Sequence, residues 1–162
     1  MSDSASPDQL PPIGLLAELD EGVRRILALS GRFETLPVET RLATQGTSHQ
    51  TLCVLLSGKA SVYCHAPGDY VHVADIKPGE TVGEMNMIDP QRASADVTIT
   101  EKARVWIIET GQFQSIVQQD PVTAYIVMEW LARELCRRLR RDADHMLRKA
   151  EELRSHMRDV DY

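Results

Sequence analysis

The chain of 162 residues is long enough for one domain with its own core, and 43% hydrophobic and 26% charged residues are ordinary for a globular protein. A formal net charge of −6 argues against nucleic acid as the main partner, because phosphate backbones are bound by clustered positive charge. No secretory signal and no membrane-spanning run is present, and the scattered cysteines have no metal-ligand spacing, so we expect a cytoplasmic protein without membrane contact.

The N-terminal third predicts a tail, a helix and then strands. Residues 1–12 are polar and rich in proline, which predicts a disordered tail. Residues 13–31 carry leucine, valine and isoleucine at helical spacing and end at Gly31, which predicts a helix. Residues 32–109 hold short apolar runs between turn residues, at roughly 8–12-residue spacing, and so predict an antiparallel sandwich or barrel of about eight strands.

Two stretches of this region define their strands most clearly. Thr51–Leu56 is predicted to end in the turn 57–59, and Ala60–Cys64 is predicted to follow as a separate strand. Residues 93–100 alternate apolar and polar side chains, which is typical of a half-buried strand, and Val105–Ile108 is predicted to be the last strand.

Two helices are predicted to close the sequence. Thr110 is expected to cap a short helix through Gln119, and Asp120 with Pro121 is expected to begin a long helix that ends near Arg158, before a tail at 159–162. Part of this helix carries an apolar stripe with heptad spacing, which we call the seam. The seam consists of Leu139, Ala143, Met146, Ala150, Leu153 and Met157. Because such a stripe needs a partner, pairing of residues 121–158 with a second copy of the chain is the default expectation.

The segment Lys77–Val97, KPGETVGEMNMIDPQRASADV, contains the candidate binding residues. Gly83 allows a bound group to approach the backbone, and the helix start after it offers free N–H groups to an anion. Glu84 is suited to accept hydrogen bonds from sugar hydroxyls, and Arg92 is suited to bind a phosphate. Taken alone, these residues are better explained as turn glycines and a solvated arginine than as a binding site, because short motifs often match by chance.

Four stretches together resemble the cyclic-nucleotide-binding domains of the cyclic-AMP-receptor/Fnr type. They are LLAELDEGVRRILAL, LCVLLSGKASVY, ADIKPGETVGEMNMID and RVWIIETGQFQSIVQQDP, and the resemblance covers about residues 13–141. It implies a mainly β fold, in which a jelly-roll-like antiparallel β-barrel at 13–119 is flanked by an N-terminal helix. A long C-terminal helix at 120–158 would form a dimeric coiled coil.

The resemblance also implies a binding site, the phosphate-binding cassette, which here spans residues 83–94. Gly83 and Glu84 match the family's Gly-Glu pair, in which the glutamate binds the ribose 2′-hydroxyl, and Met85 would offer its backbone N–H. The family's phosphate-binding arginine falls on Ala93, while Arg92 stands one residue earlier. Ser94 follows as one of the small residues whose amides complete the cradle.

A buried arginine–phosphate contact is worth about 2–5 kcal/mol, so its displacement puts the phosphate half of the cassette in doubt. The positions that contact the base in bacterial members of the family fall on Arg138 and Leu139. Arg138 could stack on a base, but an ion pair with Glu134 at i,i+4 spacing is the more ordinary role.

The function implied by the resemblance is that of a non-catalytic regulatory domain. It would bind cyclic AMP, cyclic GMP or another cyclic nucleotide and signal through a dimeric helix to a separate effector protein. The alternative is a degenerate fold without a nucleotide that acts as a dimeric scaffold. Neither cofactor nor metal nor catalytic residues are expected, because the histidines at 49, 65 and 72 lack the clustered spacing of a cupin metal site. Family transcription factors continue into a helix-turn-helix domain, whereas this sequence ends at Tyr162, so we expect no direct DNA binding.

Overall fold

The computed structural model describes residues 10–160, the side chains only through 157; residues 1–9, 161 and 162, which belong to the two predicted tails, lie outside the description. The helices are a 3-10 helix at Gly14–Glu18, α1 at Glu21–Ser30, α2 at Glu84–Ile88, α3 at Thr110–Gln119 and α4 at Pro121–Val160. The strands are β1 at Arg32–Leu36, β2 at Arg41–Ala43, β3 at Thr51–Ala66, β4 at Asp69–Ile76, β5 at Thr81–Val82 and β6 at Asp96–Glu109.

The N-terminal helix predicted over 13–31 is divided in two. Asp20 adopts an extended conformation between the 3-10 helix and α1, and its Oδ1 accepts a hydrogen bond of 2.9 Å from the Val23 backbone N–H. This side chain therefore starts α1 as an N-cap and prevents a continuous helix. Leu10, which the sequence assigned to the tail, is 1% exposed.

The six strands of the described chain form one antiparallel sheet, in the order β1-β6-β3-β4, with β2 beside β6 and β5 beside β3. The predicted antiparallel fold with flanking helices and a long C-terminal helix is thus confirmed. The sheet does not close into the predicted barrel, because β1 and β4 stand at opposite ends of the order and do not pair. Buried apolar residues of the strands form a hydrophobic cluster that includes Leu55, Ala60, Ile99 and Val105.

The predicted strand count is too high, because β3 and β6 each include residues of two segments that the sequence predicted as separate strands. Thr51–Leu56 and Ala60–Cys64 are both parts of β3, and the expected turn between them is a run of irregular pairing with β6. Gly58 has φ +83°, and a methyl group there would lie 2.3 Å from the Lys102 carbonyl oxygen. This glycine therefore marks a bulge where two strands approach closely, which also explains its turn-like surroundings in the sequence.

The two C-terminal helices begin differently. Asp120 accepts hydrogen bonds from the Thr123 backbone N–H at 3.1 Å and from its hydroxyl at 2.7 Å, as expected of the predicted cap. The predicted cap at Thr110 is wrong, since Glu109 is the N-cap of α3 and forms a capping box with Gln112.

The chain divides into two compact units between Trp130 and Leu131, within α4. In the first unit, the Trp130 indole N–H donates to the Leu15 carbonyl at 2.8 Å and fastens the start of α4 to the N-terminal segment. The second unit is the remainder of α4, and all six seam residues are exposed along it. Within residues 10–160, no helix combines the length and apolar character needed to cross a membrane.

Candidate functional site

The first half of the cassette is the turn at Gly83. Strand β5 pairs with β3, through Val82 opposite Cys53, and delivers the chain to this turn. Gly83 has φ +90°, and a methyl group in place of its hydrogen would lie 2.1 Å from the Thr51 carbonyl oxygen and 2.6 Å from His49 Nε2. Only glycine satisfies both the left-handed conformation and this contact. In the structure the close approach at Gly83 is made by the protein's own β3, and the predicted approach of a bound group stays a prediction.

Glu84 opens α2 directly after the turn. Its side chain is buried, with 4% exposure, and Oε2 accepts a hydrogen bond of 3.2 Å from the Thr81 hydroxyl. A carboxylate is costly to bury unless hydrogen bonds satisfy it, so the side chain is held inside the cassette by polar contacts. Met85 points its side chain outward, with 53% exposure, and its carbonyl accepts the Asp89 N–H that ends α2.

The second half of the cassette is the extended segment at Arg92–Ser94. Arg92 is exposed, and its Nη1 donates to the Gly46 carbonyl oxygen at 2.9 Å. Ala93, at the position of the family's arginine, is 7% exposed and belongs to the core cluster, whereas Ser94 is exposed. The position that the resemblance matches to a phosphate-binding arginine thus carries a buried methyl group, and the neighbouring Arg92 guanidinium donates to a loop carbonyl.

Arg138 belongs to the second unit of the chain, and the cassette residues belong to the first. Its Nε donates to Glu134 Oε1 at 3.1 Å, and Arg141 Nη2 reaches the same oxygen at 3.1 Å. The i,i+4 ion pair expected from the sequence is confirmed.

Asp96 is a site-adjacent residue that the sequence did not single out. Strand alternation placed it on a polar face, but its side chain is fully buried. It accepts hydrogen bonds from the Gln45 backbone N–H at 2.7 Å, the Tyr70 hydroxyl at 3.0 Å and His65 Nε2 at 3.2 Å, with Arg41 Nη1 at 3.6 Å. The Gln45 amide is the largest cause of a lowered pKa for this carboxyl, and it outweighs the opposing effect of burial. Asp96 therefore anchors the loop between β2 and β3 beside the cassette.

His49, which the sequence treated as an isolated histidine, lies against the cassette. The half-buried ring contacts Gly83, and its Nε2 lies 3.4 Å from the Thr51 hydroxyl. Burial lowers the pKa of His49 more than the Thr51 backbone and the nearby Glu84 carboxylate raise it. The sequence carried no signal for this contact, because 34 residues separate His49 from Gly83.

Metal-ligating side chains do not gather in the described part of the chain, where no group of three or more histidine, cysteine, aspartate or glutamate residues could hold a metal ion. The histidines at 65 and 72 are instead bonded to separate carboxylates, those of Asp96 and Asp75.

Comparisons with known proteins identify the family and the fold. The cyclic AMP receptor protein of Thermus thermophilus is 30% identical over 92 residues, which are 56% of this chain but only 43% of that protein. The chain therefore spans less than half of the relative's length.

Among solved structures, a cyclic nucleotide-binding domain from Methylobacillus flagellatus superposes with a TM-score of 0.76 at 23% identity, covering 81% of this chain and 74% of the other. The catabolite activator protein of Thermus thermophilus gives a TM-score of 0.67 at 26% identity, over 88% of this chain and 62% of that one. The family model for the cyclic nucleotide-binding domain matches residues 33–120, more than half of the sequence. The chain belongs to the cyclic nucleotide-binding domain family.

Proposed function

We propose that this protein is a non-catalytic regulatory domain of the cytoplasm that binds a cyclic nucleotide, or a related phosphate ligand, in the cassette. It would pass the signal through a helical dimer to a separate effector protein. The observation that carries the proposal is the buried carboxylate of Glu84, held directly behind the left-handed turn at Gly83. Burying a carboxylate is unfavourable for folding alone, so a buried carboxylate directly after the Gly83 turn favours a binding role.

The chemistry of the first half of the cassette suits a ribose. A carboxylate accepts strong, charge-assisted hydrogen bonds from sugar hydroxyls. A backbone N–H in the first turn of a helix has no intrahelical carbonyl partner, so the Met85 amide can add a donor for the phosphate.

Arg92 supplies the charge for the second half. Its hydrogen bond to the neutral Gly46 carbonyl is worth only about 1 kcal/mol, and a phosphate forms a stronger, charge-assisted pair with a guanidinium. A bound phosphate would therefore draw the exposed Arg92 side chain from Gly46.

The signalling half of the proposal depends on the seam. Leu139, Met146, Leu153 and Met157 are all exposed along the second unit, at heptad spacing. Heptad repeats of this kind are buried by a second helix, and a second copy of the same chain is the simplest partner.

The alternative is a dimeric scaffold whose cassette binds no nucleotide. The observation that favours it is Ala93, because a buried methyl group replaces the family's phosphate-binding arginine. The effector protein is unknown under both proposals.

Calorimetry with cyclic AMP, cyclic GMP and cyclic di-GMP on the full chain separates these functions. We expect one of them to bind, with an affinity that falls about 100-fold in Glu84→Ala and about tenfold or more in Arg92→Ala, since each removes a charge-assisted contact. Glu101→Ala, which removes an exposed carboxylate of β6 outside the cassette, is the matched control. No binding of any of the three would reject the sensor and leave the scaffold.

Sedimentation equilibrium tests the dimer. Met146→Glu introduces a charge into the seam and should shift the protein to monomer, whereas His145→Glu, one residue off the seam, should not. Equal association of the two variants would show that the seam is not the dimer interface.

A further inference from the structure

The loop at 44–50 between β2 and β3 lies along the second half of the cassette. The Gly46 N–H donates to the Ala93 carbonyl at 2.8 Å, and the Ala93 N–H donates to the Thr47 carbonyl at 2.9 Å. Ser48 continues this pairing as the bridge partner of Arg92. The loop is therefore fixed to the segment where a ligand phosphate is expected.

The same loop reaches the first half of the cassette through His49. The Nε2 atom of this ring lies 2.6 Å from the position of a Gly83 methyl group, so the ring packs directly on the Gly83 backbone. Glu84 is close enough to act electrostatically on it. His49 thus contacts the sugar half at Gly83, and the residue just before it, Ser48, pairs with Arg92 of the phosphate half.

Residue 93 offers a ligand phosphate only a methyl group, and the Arg92 guanidinium must give up its bond to the Gly46 carbonyl oxygen to reach one. A second donor beside Arg92 would therefore strengthen the phosphate half of the cassette. An imidazole can donate a hydrogen bond in either protonation state and gains a positive charge near neutral pH.

We propose that His49 is a ligand contact of the cassette, whose ring donates a hydrogen bond to the phosphate of a bound cyclic nucleotide and takes up a proton in the complex. This inference rests on the proposed function and deepens it, because it names the group that compensates for Ala93.

The proposal fixes the sign of a pH dependence. In the free protein, burial holds the pKa of His49 below its ordinary value, so the ring is neutral above pH 7. A phosphate anion beside the ring raises that pKa in the complex, so binding takes up a proton and tightens as the pH falls. The charged group that acts on the ring is the Glu84 carboxylate on α2, and glutamate does not ordinarily titrate between pH 6 and 8.

Calorimetry at pH 6, 7 and 8 with cyclic AMP, cyclic GMP and cyclic di-GMP tests the inference. From pH 8 to pH 6 the affinity of the unmodified protein should rise about three- to tenfold, the range that a shift of up to one pKa unit allows. His49→Gln should bind more weakly at pH 6 and show no such rise. His72→Gln, which alters a histidine bonded to Asp75 on β4, should behave as the unmodified protein does.

The outcomes separate this inference from the proposed function. If a nucleotide binds and His49→Gln keeps both the affinity and the pH dependence, His49 is not a contact and the proposed function stands. If none of the three binds at any pH, both fail. Should His49→Gln be unfolded in urea titrations, an NMR titration of the unmodified protein follows the His49 ring directly. A His49 pKa that does not rise when the nucleotide is added would overturn the inference.

Discussion

The two halves of the cassette are built by different means. At Gly83 and Glu84 the conformation comes from adjacent residues, a glycine with φ +90° and the first residue of a short helix. At Arg92 and Ala93 the conformation comes from a loop more than forty residues earlier, which pairs with the segment through Gly46, Thr47 and Ser48. The first half is tightly packed and intolerant of added atoms, whereas Arg92 in the second half is exposed. We therefore expect substitution of Gly83 to affect folding, and substitution of Arg92 to affect binding with little change in stability.

The largest expected effect is that of Gly83→Ala. The positive φ costs about 1–2 kcal/mol for any residue with a Cβ, and the contact of 2.1 Å with the Thr51 oxygen adds a backbone clash. We expect the free energy of unfolding to fall by about 3–4 kcal/mol, measured by urea denaturation.

Gly68→Ala is the matched control for this variant. Gly68 has φ +80° at the tip between β3 and β4, and nothing lies within 4 Å of its added methyl group. In Gly68→Ala the free energy of unfolding should fall by only about 1–2 kcal/mol, the effect of the positive φ alone. Equal losses at the two glycines would show that the Gly83 turn is not closely packed.

A smaller effect is expected at Asp96, which anchors the loop of the second half. In Asp96→Asn the amide N–H groups would face the Gln45 N–H and the Tyr70 hydroxyl, which are themselves donors. We therefore expect the free energy of unfolding to fall by about 1–3 kcal/mol at pH 7, measured by urea denaturation. Because the folded protein lowers the pKa of Asp96, the carboxylate stabilises the fold above the unfolded-state pKa of about 4. That contribution is lost as the pH falls through the folded-state pKa.

The difference between the unmodified protein and Asp96→Asn should therefore shrink below about pH 4. Asp89→Asn removes the same charge from an exposed residue at the end of α2 and should show little difference at either pH. A difference for Asp96→Asn that stays constant down to pH 3 would contradict the role of its ionised form.

The smallest effect on stability is expected for Arg92→Ala. Its side chain is exposed and makes one hydrogen bond, to the Gly46 carbonyl, so the free energy of unfolding should change by less than about 1 kcal/mol. The same variant should weaken nucleotide binding markedly. A loss of stability above about 2 kcal/mol would make Arg92 a structural residue and remove the contrast between the two halves.

Local patterns were sufficient for several elements. The C-terminal end of α3, the start of α4 and the cap of α4 at Asp120 follow from capping residues and helical spacing, whereas the cap of α3 does not. Strand number was predicted less well, because serine and glycine at 57 and 58 have turn chemistry whether the chain reverses or bulges. Only the approach of β6 to Gly58 decides between the two.

By itself, the sequence determined the family, the antiparallel sheet with flanking helices, and the residues of the Gly83–Glu84 turn, because these depend on short-range patterns that the chain states directly. The tertiary structure decided that the sheet stays open, that Ala93 is buried while Arg92 is not, and that Asp96 and His49 lie beside the cassette. The physical reason is that burial and pairing across the sheet join residues distant in sequence, and no local pattern records which loop will lie against which strand.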